Sequence, residues 1–391
     1  MTKSEVKLAL YSRHFHNPAK RGVAIYTHEL VTAMANLLRS TRVFLLDCFL
    51  PRVSYAHLPQ IFNSNFQTRV LRCPGRVFDS LNRYTGWPRL EMVSGDLHLM
   101  HVMHEQVPET RIKHVVMTVH GLGPLLYPDL FHPKFRNKWT DCLGRGLKKA
   151  ARVIAVSKAV ESQLRHYYPQ YSAKYVTTLL GVSQGFHSKP DPQEEKEFQL
   201  SKNINFPYIL CVGAADPGKN LESLLKAFSL FVRQTEPRPP HHLVLAGNPD
   251  WGGYGQLQQQ ICELAITDRV HLIGYIEHQH LPALYRGCNL FVFPSLFEGF
   301  GLPLLEAMAS GAPCLSSNRP ALDEVGGNIA EYFDPESPED IAHKMKLLLE
   351  DPDRLAEMRI EGREYAQKFS WERTARETIR IYEEVLGSTL V

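Results

Sequence analysis

Apolar positions along the chain fall into short runs separated by stretches of helical spacing, and this alternation occurs twice. In the first half, residues 6–11, 43–49, 96–103, 115–120 and 152–156 are apolar runs of strand length. An amphipathic pattern over residues 26–38 predicts a helix, and a second helix-like segment precedes residue 152. Residues 189–202, with Pro190, Pro192 and a Glu-rich run, are polar and poorly periodic, which predicts a linker. The alternation then restarts, with strands expected at 208–212, 242–246, 270–273 and 290–294. Helices are expected near 221–231, 254–264, 280–286, 303–309 and 371–386. Strands alternating with helices imply βαβ units and a parallel sheet, here in two successive units. Such units bind ligands beyond the carboxyl ends of their strands, so a cleft between two sheets is expected.

A length of 391 residues suits two domains of ordinary size, and 44% hydrophobic with 22% charged residues is a soluble globular composition. The polar start, Met1 to Lys7, is unlike a secretory leader, and no apolar stretch has bilayer-spanning length. A cytoplasmic protein is expected, at most peripheral on the inner face of the membrane. Seven cysteines without CxxC spacing predict buried, reduced thiols. The net charge of +3 hides an asymmetry: residues 1–185 hold 25 Lys+Arg against 11 Asp+Glu, leaving 19 against 30 for the rest. Two readings stand side by side. The first half meets something anionic (nucleic acid, an anionic membrane surface or a phosphorylated acceptor), or two oppositely charged domains attract each other.

The densest chemistry lies in residues 293–308, Phe-Pro-Ser-Leu-Phe-Glu-Gly-Phe-Gly-Leu-Pro-Leu-Leu-Glu-Ala-Met. A buried strand ends at Pro294, a glycine-rich turn follows, a helix starts at Pro303 and Gly311 stops it. The free amides of Phe300, Gly301 and Leu302 at a helix N-terminus suit a diphosphate, and Gly299 and Gly301 let the backbone approach it. Glu298 on the turn and Glu306 inside the helix flank those amides, so one carboxylate can meet a sugar while the other meets ribose hydroxyls. A second strand-turn-helix start, residues 208–221, carries Gly213 and Lys219, a cation for phosphate charge.

The second half resembles glycosyltransferase family 4, the retaining group of GT-B fold, on residues 208–220, 245–247, 270–284, the E-x7-E pair Glu298 and Glu306, 320–334 and 369–372. The first half is similar more loosely, at residues 22–30, 116–128, 151–158 and 180–182. The resemblance implies an α/β chain of two Rossmann-like domains whose parallel sheets face each other across a cleft. It places an acceptor-binding domain at 1–187, a linker at 188–202, a nucleotide-sugar-binding domain at 203–370, and a C-terminal helix at 371–391 returning to the first domain. It implies that Glu298 contacts the donor sugar, Glu306 holds the ribose, Lys219 binds the diphosphate, and the turn at Gly274, Tyr275 and Ile276 reads the base. His120 matches a histidine facing the donor sugar, and Gly22 with Arg21 matches a first-domain loop. The implied reaction is metal-independent, retaining transfer of a hexose, mannose first, from a GDP- or UDP-sugar to a glycan or lipid-linked glycan. The setting implied is polysaccharide, lipopolysaccharide or glycolipid assembly, with peripheral contact with an anionic membrane and no nucleic acid. No cofactor beyond the co-substrate is implied.

The pattern has departures. Arginines common beside the phosphate lysine are replaced by Ala214 and Gly218, with Lys20 or Arg21 as substitutes. Gly121 stands where many members have Asp. These departures motivate an alternative, a non-catalytic sugar-nucleotide-binding or assembly protein of the same fold. A nicotinamide oxidoreductase lacks its full glycine fingerprint, since only Gly121 and Gly123 are present. His98, His101 and His104 suggest a metal, but on a strand His101 faces away from the other two. The basic residues of segment 135–151 fit either an anionic surface or the solvated face of a core helix.

Overall fold

A computed structural model describes residues 6–15, 22–48, 65–189, 191–247 and 254–390. The chain divides into two compact units, residues 1–181 with 370–391, and residues 182–369.

The first unit is built on seven strands: β1 (Lys7–Tyr11), β2 (Arg42–Cys48), β3 (Phe66–Leu71), β4 (Leu99–Val102), β5 (His114–Val119), β6 (Arg152–Ala155) and β7 (Tyr175–Thr177). They form one parallel sheet in the order β3-β2-β1-β4-β5-β6-β7. β1, β4 and β5 are buried almost throughout, as a sheet covered on both faces requires. β3 lies at an edge and exposes Thr68 and Arg69, so it has no apolar run to betray it in the sequence.

The C-terminal helix Trp371–Leu386 belongs to this unit and packs on the helix Val23–Leu37. Ser370 caps it by accepting from the Arg373 amide at 3.2 Å. Trp371, Ile379 and Tyr382 are buried, each contributing about 1.5–3 kcal/mol by leaving water. Gly181 is obligatory beneath it, because a Cβ there would lie 2.2 Å from the Trp371 nitrogen.

The second unit holds β8 (Tyr208–Val212), β9 (His242–Ala246), β10 (Val270–Gly274), β11 (Leu290–Phe293), β12 (Cys314–Ser317) and β13 (Glu331–Phe333). The sheet is again parallel, in the order β10-β9-β8-β11-β12-β13. The helix Leu221–Gln234 turns Leu221, Leu224, Leu225, Phe228, Phe231 and Val232 into the core, at the three- and four-residue spacing of an amphipathic helix.

Residues 188–202 do not form the expected linker. Pro192–Ser201 is a helix of the second unit, capped by Asp191, and it is tied down by the Glu195–Arg286 ion pair and by Gln199 donating to the Ala283 carbonyl at 2.9 Å. Its polarity reflects an exposed helix face rather than a free segment. The thiol expectation also needs correction: Cys142, Cys211, Cys288 and Cys314 are buried, but Cys73 is half-buried and Cys262 exposed. His98, His101 and His104 are each occupied by protein groups. They accept from the Lys7 amide, bridge Tyr382 and Thr118, and accept from the Gln106 amide, respectively. No group of three metal-ligating side chains occurs among the described residues. Among the same residues no helix is long and apolar enough to cross a membrane.

Candidate functional site

All six strands of the second sheet run the same way, so their following loops gather at one edge. The order reverses between β8 and β11, whose connections leave in opposite directions, and such a switch point opens a crevice for ligands. The loop after β8 carries Lys219 and the loop after β11 carries Glu298, one on each side of that crevice.

The two loops are stapled together by backbone and side-chain bonds. The Leu296 amide donates to the Gly218 carbonyl at 2.8 Å. Asn220, in the left-handed conformation, sends its amide to the carbonyls of Pro294 at 3.2 Å and Pro335 at 2.7 Å rather than capping the next helix. A Cβ on Gly218 would lie 2.8 Å from the Phe297 ring, so the two loops meet there at the limit of close approach. Lys219 then reaches over Gly213 and donates to the Glu298 carboxylate at 2.5 Å. Burial works against its charge, but Glu298 outweighs burial and holds the ammonium above its ordinary pKa. The lysine expected to bind phosphate is therefore paired with a carboxylate.

Gly301 sits at φ 100° as the N-cap of the helix Leu302–Ser310, with Pro303 in its first turn. The amides of Phe300, Gly301 and Leu302 find no acceptor among the described residues, although Phe300 and Leu302 are buried. Three unpaired donors at a helix N-terminus are costly without an anion and favourable with one. Glu306, a turn into that helix, is buried; it accepts from His278 Nε2 at 3.1 Å and from the Tyr285 hydroxyl at 3.3 Å. Burial and this carboxylate push the Tyr285 phenol well up, so it stays a donor. Gly247, after β9, admits no side chain, since a Cβ would lie 1.7 Å from the Gly213 oxygen. Its amide donates to the Gly274 carbonyl at 2.9 Å, which sets the turn where Tyr275 is exposed and Ile276 buried.

The second unit thus brings together Gly213, Lys219, Glu298, Gly299, Phe300, Gly301 and Leu302, with Glu306, Tyr275 and Ile276 on the same edge. His120 and Gly22 lie in the first unit. His120 Nε2 donates to the Met103 carbonyl at 2.9 Å, which leaves Nδ1 as the basic nitrogen, and burial lowers its pKa. Gly22, at φ 39°, is the N-cap of the helix Val23–Leu37. Arg21 and Lys20 fall outside the described residues. Sequence reasoning missed His278, Tyr285 and Arg319, whose Nε holds the Leu296 carbonyl at 3.2 Å. No spacing rule links a helix carboxylate to a loop histidine 28 positions earlier.

Residues 192–368 match the family model for glycosyl transferases group 1, and residues 20–182 match that for glycosyltransferase family 4. The chain is 31% identical over 277 residues to the O-antigen chain mannosyltransferase B of Escherichia coli, covering 70% of this chain and 71% of that one. The chain belongs to glycosyltransferase family 4. The serotype-specific mannosyltransferase WbdA of E. coli is 32% identical over 70% of this glycosyltransferase, which spans only 34% of that longer protein. In fold, the glycosyltransferase is similar to the sucrose-phosphate synthase of Thermosynechococcus elongatus, with a TM-score of 0.75 at 21% identity, covering 98% of this chain and all of that one. It is likewise similar to WaaG, a glycosyltransferase involved in lipopolysaccharide biosynthesis, with a TM-score of 0.72 at 13% identity over 96% and 99% of the two chains. The fold is GT-B, the activity is that of a hexosyltransferase using a nucleotide sugar, and the non-catalytic alternative is not favoured.

Proposed function

We propose that this glycosyltransferase moves mannose from GDP-mannose to a hydroxyl of a lipid-linked glycan, with retention, in the assembly of a surface polysaccharide. The observation that carries the donor site is the buried, unpaired amide group of Phe300, Gly301 and Leu302 beside the Lys219–Glu298 pair. In this reading the diphosphate takes those three amides and draws Lys219 away from Glu298, freeing the carboxylate for the sugar hydroxyls. Glu306, held by His278 and Tyr285, accepts from the ribose, and the turn at Gly274, Tyr275 and Ile276 reads the base. His120 is a proposed catalytic residue of the first unit, and Gly22 with Arg21 a proposed phosphate or acceptor loop. The acceptor oxygen bonds to the anomeric carbon as the bond to the diphosphate breaks, and the acceptor proton passes to the departing phosphate. Amides and lysine stabilise charge growing on that phosphate, where preorganised donors count most.

The sugar preference is supported by similarity to O-antigen mannosyltransferases, which in E. coli and Salmonella typhimurium bear that name. The basic first half suits an acceptor carried on the inner face of an anionic membrane. Incubation with GDP-mannose or UDP-glucose and a lipid-linked acceptor, with product linkage read by NMR, tests this. Mannose transfer with the donor's anomeric configuration, abolished by Glu298→Gln, is the expected result. Transfer from UDP-glucose alone overturns the sugar assignment, and inverted product overturns retention.

A further inference from the structure

The sheet of the first unit has a second edge with chemistry of its own. His120 lies beyond the carboxyl end of β5, whereas a cavity of about 650 Å³ opens at the amino ends of β1, β4 and β5. Val6 just before β1, His98 just before β4 and His114 at the start of β5 line it. Ser388 and Thr389, which follow the C-terminal helix, line it as well. A space of that size holds a small solute.

Its polar lining is cationic and uncommitted. Arg111 and Lys113 are exposed on either side of the buried Ile112, and both reach the cavity. The side chains of Arg111, Lys113, His114, Ser388 and Thr389 make no hydrogen bond or ion pair among the described residues. His98 Nδ1 accepts from the Lys7 amide at 3.0 Å, which leaves its Nε2 to carry the proton as a donor. Among the described residues no carboxylate lines the cavity. The carboxylates nearby along the chain are held elsewhere. Glu91 accepts from the Thr110 hydroxyl at 3.0 Å and the Arg111 amide at 2.7 Å. Glu383 accepts from the Leu390 amide at 2.7 Å, and Glu384 faces Arg152 at 3.7 Å. A guanidinium fork beside an ammonium, neither with a carboxylate, suits a phosphate.

The remaining lining describes what that phosphate is attached to. Ser388 and Thr389 offer free hydroxyls, while Val6, Leu97, Ile112 and Leu386 supply apolar walls, none of them exposed. Hydroxyl partners beside a small apolar wall match the edge and the face of a sugar ring. With its apolar residues recessed, the site has nothing to insert into a bilayer, and its concave form takes a dissolved ligand. We propose that this cavity binds a hexose phosphate. Bound there, the ligand joins the end of the C-terminal helix to the first residues of the sheet, in the unit that does not carry the donor amides. The proposal is independent of the donor and acceptor readings above.

Glucose 6-phosphate, mannose 1-phosphate and inorganic phosphate are titrated calorimetrically into the full chain. A hexose phosphate is expected to bind at least about tenfold more tightly than inorganic phosphate, and Arg111→Ala/Lys113→Ala to weaken it about tenfold or more. Lys219→Ala, in the other unit, leaves it unchanged. Hydrogen exchange on the wild type locates the ligand whatever the variants do: amides of residues 111–114 and 383–390 slow in its presence, and those of 213–220 and 296–302 do not. A wild type that binds neither hexose phosphate overturns the proposal. So does protection at 296–302 together with loss of binding in Lys219→Ala, since the probe then sits in the donor crevice. Equal affinity for inorganic phosphate overturns the assignment of a hexose.

Discussion

His101 offers a stability prediction whose size follows from its surroundings. The imidazole is fully buried between the Tyr382 hydroxyl at 2.5 Å and the Thr118 hydroxyl at 2.8 Å, tying the C-terminal helix to β4 and β5. Burial, with a smaller contribution from His120, lowers its pKa to about 3. The unfolded chain, with an ordinary histidine pKa of about 6.5, therefore binds the proton that the native state refuses. Stability from the neutral ring is full above about pH 6.5 and is lost as pH falls towards 3. Between pH 7 and pH 5 the loss from this one side chain is about 2 kcal/mol, at about 1.4 kcal/mol per unit once below 6.5. His104 and His120, whose pKa values are also lowered by burial, add in the same direction. The perturbation is His101→Gln, which cannot titrate and keeps one polar contact. Urea unfolding at pH 7, 6 and 5 is followed by tryptophan fluorescence, because Trp87, Trp139 and Trp371 all lie in the first unit. The variant is expected to be less stable at pH 7 by about 1–3 kcal/mol. Its decline to pH 5 should nevertheless be about 2 kcal/mol shallower than that of the wild type. Parallel declines would refute the reasoning.

Three changes at the donor site follow. Glu298→Gln removes the partner that holds Lys219; with 24% of the lysine side chain exposed, the cost at pH 7 is about 1–2 kcal/mol by urea unfolding, below that of a fully buried pair. His278→Gln loosens the Glu306 carboxylate without touching the reacting atoms, so the donor KM should rise about fivefold while kcat changes little; an equal fall in kcat would assign His278 a different role. Gly301→Ala demands an alanine at φ 100° with its Cβ 2.4 Å from the buried Leu322 side chain. Thermal melting should show a loss of about 2–4 kcal/mol, and adding Leu322→Ala should leave the backbone strain unrelieved.

The parts legible in the sequence were those with a local signature. The strands at the centre of each sheet are apolar runs because both their faces are covered, and β1, β5, β8 and β11 were readable for that reason. β7 and β13 are three-residue edge strands, and β12 buries Ser316 and Ser317, whose polarity hides it; Ser317 is satisfied by the Ser295 carbonyl at 2.6 Å. Within the site, the glycine turn and the two glutamates were readable because backbone approach and a helix N-terminus demand those residue types at that spacing. The His278–Glu306 contact was not, because β10 and β11 lie three places apart in the sheet, and only the packing of the helix Leu281–Gly287 on the helix Leu302–Ser310 brings the turn after β10 to Glu306. Nor did the sequence reveal that Glu298 pairs with Lys219, since both residues carry the family pattern whether paired or apart.

The most direct test is calorimetric titration of GDP and GDP-mannose, without added metal, into the wild type and Lys219→Ala. If the diphosphate seats on the Phe300–Leu302 amides and Lys219 at the switch point between β8 and β11, the wild type binds GDP and the variant binds it about 10- to 100-fold more weakly, a loss of about 1.4–3 kcal/mol. Equal affinity in the two proteins would contradict a donor site at this crevice.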